Sequence, residues 1–194
     1  MRQTNPEKIL AKAKKFKQKL LQEKKYFGAI DDSDGLRYLI PGMLMEAMAF
    51  TEGKRYYTWF NKEFNDDTGE PYMYLQWILL FYYRKEYKLA LQMLKKLIKQ
   101  NIHMIPFVLG CPLERIEGFS YFSNWEMPEY IDSDEIAKMK YLDEDFKSWL
   151  NEQYMKHEIQ ALLEEDIALN KELKMTNDFE RRSILIKKQN ALFE

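Results

Sequence analysis

Apolar residues recur at spacings of three and four along most of the chain, a pattern that predicts helices rather than strands. Ile9, Ala13, Phe16 and Leu20 make one stripe on a Lys-rich segment that opens with Asn5-Pro6-Glu7 and stops before Gly28. An Asn cap, Pro at the first helical position and an acid in the first turn form a helix start with a physical basis at each position. A second helix is predicted over 38–52, with Leu39, Met43, Ala47 and Phe50 on one side and "TEGK" ending it at Gly53. "KRYYTWFNKEF" follows as a helix carrying Tyr56, Trp59, Phe60 and Phe64. The aromatics of "YMYLQWILLFYY" favour sheet, but its length and helical flanks favour a buried helix. "YKLALQMLKKLIKQN" places Leu91, Leu94, Leu97 and Ile98 on one face.

After Asn101 the texture changes. Three prolines and two glycines in 102–133 leave room for a short helix and then an irregular, aromatic-rich stretch. Ser133, Asp143 and Asn177 read as caps of the C-terminal helices, the middle cap opening one long helix or two. The fold class is all-α. The expected organisation is one compact helical domain: a basic helix over 1–27, hairpins over 36–102, an irregular segment over 103–132 and acidic helices over 133–194.

Two acidic loops, "IDDSDGL" and "FNDDTGE", place Gly35 and Gly69 at matching points, with a period of 34 between them. At that offset Trp59 and Phe60 align with Met93 and Leu94, and Phe64 with Ile98. Two helical hairpins at this period have the spacing of tetratricopeptide repeats, and the second hairpin resembles that family in its residues. Tyr87 stands at the family's aromatic position before helix B and Ala90 at the small position within it, with Tyr74, Trp77 and Phe81 at the large positions of helix A. Ile78, Leu97 and Ile102 depart from the family's pattern, and the first hairpin keeps the period and Gly53 but little else. The match covers about residues 36–102 and is similar to bacterial proteins with a degenerate repeat of this kind. The resemblance implies flanking helices that cap the hairpins, and a concave side lined by helix A. Arg37, Glu46, Tyr72, Gln76 and Tyr83 are the candidate partner-binding residues there.

Composition narrows the chemistry. No run approaches the roughly 18 apolar residues of a membrane span, and Cys111 is the only cysteine, which fits a reducing compartment and a cytoplasmic location. The N-terminus lacks the apolar core of a secretory signal. The net charge of −1 hides an asymmetry, since residues 1–25 carry +7 and residues 126–194 carry −7. Terminal helices lying side by side, head-to-tail pairing of two copies, and a Lys-rich arm for nucleic acid or an anionic surface all fit that distribution. The arm has one Arg and no interleaved aromatic ladder, which argues against nucleic acid.

Calcium is disfavoured, because with Gly35 or Gly69 at loop position 6 the first and twelfth positions hold Ile30 and Pro41, or Phe64 and Leu75. The loops make sense as turns, with glycine supplying a positive φ. His103, Cys111 and His157 share no zinc spacing, and no nucleophile elbow, Walker A or G-x-G-x-x-G motif is present. No cofactor and no catalytic residue is indicated. With 31 acids in the chain, a carboxylate pair carries no weight by itself.

From Phe50 to Tyr87 the aromatic share is more than twice the 15% of the whole chain, more than one buried face needs. "FSYFSNWEMPEY", with Trp125 as a further partner-binding candidate, either plugs that surface or leaves it open to a partner. The expected function is a non-enzymatic protein-interaction module, of which an inhibitor or immunity-type protein is one form. The alternative is an anionic-surface or nucleic-acid binder acting through the first helix.

Overall fold

The structure is a computed structural model that describes residues 5–193. Ten α-helices follow in order among them: α1 (Pro6–Phe27), α2 (Leu36–Glu46), α3 (Phe50–Glu63), α4 (Pro71–Tyr83), α5 (Tyr87–Gln100), α6 (Met104–Val108), α7 (Ser133–Lys138), α8 (Glu144–Tyr154), α9 (His157–Met175) and α10 (Phe179–Ala191). Two 3₁₀ turns lie at Asn124–Glu126 and Pro128–Tyr130, and the described residues contain no strand. The chain divides into two compact units, the boundary falling within α5 after Met93. The first unit also takes in Met139–Leu142, and the second holds Leu94–Lys138 and the chain from Asp143 onward.

In the first unit, Asn5 caps α1 by accepting from the Glu7 N–H at 2.9 Å, and Gly28 ends the helix at a positive φ. α1 packs on α2, and α2 packs on both α3 and α4. α4 is buried continuously from Met73 to Phe81, so its nearly unbroken apolar sequence reflects a helix surrounded on all sides. Gly69 has φ +76°, and the Tyr74 ring lies 2.5 Å from where a Cβ would stand. Glycine there both sets the turn and admits the ring.

The predicted break at Gly53 is corrected. α2 ends at Glu46, the chain turns through Ala47–Ala49, and Gly53 lies inside α3. Its missing side chain has another purpose, because a Cβ at Gly53 would come within 2.8 Å of a Leu80 methyl. The glycine therefore lets α3 approach α4 closely.

The turns also revise the repeat spacing. At Ala47–Ala49 the N–H groups of Ala47, Met48 and Ala49 donate to the carbonyls of Met43, Met45 and Leu44, and Gly53 donates to Ala49. At Arg84–Glu86 the same four bonds recur, from Arg84 to Leu80, Lys85 to Tyr82, Glu86 to Phe81 and Ala90 to Glu86. Met48 and Lys85 both adopt positive φ, at 51° and 59°. Every correspondence has a period of 37 in place of 34. On that register Gly53 matches Ala90, Tyr56 matches Met93 and Phe60 matches Leu97, all of them buried. The glycine interval is shorter because α2 begins later in its hairpin than α4 does, and because Gly69 stands further ahead of its helix than Gly35.

In the second unit, Asn101 caps α6, its side-chain oxygen accepting from the His103 and Met104 N–H groups. α7 is capped by Asp132 rather than Ser133, and α10 by Asp178 rather than Asn177. Asp143 caps α8 as expected, and the long C-terminal pattern splits into α8 and α9 at Met155–Lys156. α9 and α10 pack through Leu169, Leu173 and Leu185.

Candidate functional site

The acids of the two repeat loops converge on one arginine. The Asp32 carboxylate accepts from the Leu36 and Arg37 backbone N–H groups and from the Arg37 guanidinium at 3.0 Å. Asp67 accepts from Arg37 Nε at 2.8 Å, from the Tyr38 hydroxyl and from the Gly69 N–H. The guanidinium also stacks on the Tyr38 and Phe64 rings. Burial and the Asp67 charge push the Tyr38 hydroxyl up to about 12. Arg37, expected on a partner surface, thus has its fork directed at two carboxylates of its own unit.

The Arg37 backbone carbonyl shows the same closure. Pro41 has no N–H to return to it within α2, and the buried Tyr56 hydroxyl donates to it instead at 3.0 Å. Burial holds the Tyr56 hydroxyl protonated far above its ordinary range.

The remaining helix A candidates differ in exposure. Glu46 is exposed at the end of α2, and Tyr72 is half-buried in the first turn of α4, where Glu70 caps the helix. Gln76 is only 4% exposed. Its Nε2 lies against the Met139 sulfur at 3.6 Å, and its Oε1 is buried with no hydrogen-bond partner. Tyr83 stacks on Phe50 and donates its hydroxyl to the Tyr141 carbonyl at 2.8 Å. A short irregular segment of the first unit, Met139–Leu142, therefore lies on the face that Gln76 and Tyr83 present. At these two positions the cover comes from Met139 and Tyr141, outside the 111–130 segment for which the sequence allows either a plug or an open edge.

Four α1 lysines are engaged inside the first unit, Lys12 lying over the Phe16 ring at 5.3 Å. Lys17 lies over the Trp59 ring at 4.8 Å with its pKa lowered by burial, Lys19 pairs with Asp34, and Lys24 pairs with Glu63. Lys8, Lys12 and Lys15 share an exposed face at helical spacing.

In the second unit, Trp125 is half-buried in a 3₁₀ turn whose carbonyl accepts from the Asn101 amide at 2.6 Å. His103 meets the Tyr121 hydroxyl at 3.1 Å, and burial lowers its pKa. Asn170 pairs with the Ser120 backbone through both its oxygen and its amide. These contacts fix residues 119–127 beside α9 and border a half-open cavity of about 170 Å³. Glu126 and Asp166 both line it, with Lys99, Gln189, Phe119 and Phe122. Burial raises the pKa of each acid, and the Asp166 charge adds to the effect on Glu126. Sequence reasoning passed over this pair, because two acids so far apart along the chain carry no spacing signal.

No family model, curated protein or solved structure matches the chain. Among the described residues no group of three His, Cys, Asp or Glu is placed to hold a metal ion, and no helix is long and apolar enough to cross a membrane.

Proposed function

We propose that the chain is a non-enzymatic protein-interaction module of TPR-like type, whose helix A face binds an extended peptide segment. Met139–Leu142 is the chain's own occupant of that face. The observation that carries this reading is the way α4 holds the segment. Tyr83 donates to a backbone carbonyl, as a peptide-binding side chain does, while Gln76 is left with a thioether contact and an unpaired buried oxygen. A buried amide oxygen without a donor costs about 1–3 kcal/mol. An incoming segment that offers a backbone N–H to Gln76 removes that cost, so a partner has an advantage over the internal segment. The recurrence of the hairpin turn supports the repeat character of the scaffold. An inhibitor or immunity-type role is one form such binding takes.

The test uses the full chain with Met139–Leu142 replaced by Gly-Ser-Gly-Ser, and a labelled peptide of residues 136–144. The expected result is saturable binding to the replaced chain, weaker binding to the original one, and about fivefold loss on adding Tyr83→Phe, the worth of one neutral hydrogen bond. A peptide that binds neither chain contradicts the proposal.

A further inference from the structure

The cavity beside α9 has an electrostatic imbalance that the Lys99 charge, acting on Asp166 from beyond ion-pair distance, offsets only in part. Asp166 is 3% exposed. Its Oδ1 accepts from the Gln189 amide at 2.8 Å, and Oδ2 accepts from no donor among the described residues. Asp166 lines the cavity with this second oxygen left without a donor. Glu126 accepts from the Phe122 N–H at 2.8 Å, from the Ser123 backbone N–H and, weakly at 3.5 Å, from the Ser123 hydroxyl. Lys99 is the cation on the cavity wall. Its ammonium donates to Asn190 at 3.1 Å and lies 5.8 Å from the Phe193 ring, rather than bonding to either carboxylate.

Two desolvated carboxylates on one cavity destabilise each other unless a cation or protons intervene. We propose that this cavity binds a small organic ammonium ion. Ammonium N–H groups match the open Asp166 oxygen and the Glu126 carboxylate, while a short alkyl body fits against Phe119 and Ile102. Aromatic rings also favour a cation placed over their faces. A divalent metal is the poorer match, since the site offers two carboxylates and no third His, Cys, Asp or Glu. At about 170 Å³ the cavity is below the usual range for drug-sized ligands, which restricts the guest to a small amine.

Calorimetric titration of the full chain with n-butylammonium tests it, with n-butanol and butyrate as the uncharged and anionic counterparts. The expected result is saturable binding of butylammonium alone. Affinity should rise from about pH 5 to about pH 7.5, with protons released on binding, because the cation takes the ionised carboxyls and their pKa values start high. Asp166→Asn and Glu126→Gln should each weaken binding at least about tenfold. Asp166→Asn keeps the acceptor for Gln189, and a thermal melt confirms that it folds. Should it fail to fold, the pH dependence and Glu126→Gln decide the matter. Lack of saturation to about 10 mM, equal binding of butanol, or unchanged affinity in the folded variants would overturn the proposal.

Discussion

Each unit holds one buried and one half-buried carboxylate as a pair, and the two pairs are treated in opposite ways. Asp32 and Asp67 receive the Arg37 fork, three backbone N–H groups and the Tyr38 hydroxyl. Glu126 and Asp166 receive two backbone N–H groups, a side-chain amide and a weak hydroxyl contact, and among the described residues no cation reaches them within ion-pair distance. The first pair holds its loops in place. Burial raises the pKa of both members of the second, with the Asp166 charge adding to the effect on Glu126 and the Lys99 charge opposing it at Asp166. A buried acid is therefore informative only once its donors are counted, because the same residue type either organises a turn or leaves a charge that needs a ligand.

The largest expected effect lies in the first pair. Arg37→Ala removes the cation from both carboxylates and should destabilise the protein by about 3 kcal/mol, the lower end for breaking a buried pair. The lower end applies because both acids retain other donors. Urea unfolding measures it. A loss below roughly 1 kcal/mol would make Arg37 a surface residue after all and break the contrast between the units.

A smaller effect sharpens it. Tyr56→Phe leaves the Arg37 carbonyl without the donor that Pro41 cannot supply, and should cost about 1–2 kcal/mol. In a Pro41→Ala background the restored N–H takes over that carbonyl. The cost of Tyr56→Phe should then shrink, and a double-mutant cycle reads the difference directly. Gln76 is the exception within the first unit, an amide with an unpaired oxygen, and it is also where the peptide reading rests.

Much of the helical framework was legible from local chemistry. Asn5-Pro6, Gly28 and Asp143 act where their types predict, because capping needs only neighbours in sequence. Adjacent cap candidates were not separable. Ser133 and Asn177 are good cap types, yet the structure uses Asp132 and Asp178, and only the backbone path decides between such neighbours. Gly53 reads as a helix stop by propensity but serves a close approach to Leu80, a contact made by the following helix. The longer turn-to-turn register was hidden because glycine loops are more conspicuous than turns such as Ala47–Ala49, where Met48 adopts positive φ without a glycine. The cover over Gln76 and Tyr83 comes from far downstream in the chain, and the acid pair of the cavity joins an irregular segment to α9. Neither follows from any periodicity.

Thermal unfolding of Asp166→Asn beside the unmodified chain, from about pH 4 to about pH 7.5, tests the contrast most directly. A folded-state pKa above the unfolded one means that the folded chain holds the extra proton. The stability that Asp166 contributes is present at low pH and lost as pH rises through its raised pKa. Asparagine does not ionise, so the variant should melt higher at neutral pH, by about 1 kcal/mol in stability, and the gap should close towards about pH 4. A variant that melts lower at neutral pH, or by an amount independent of pH, would show that Asp166 is as well compensated as Asp32 and would contradict the account.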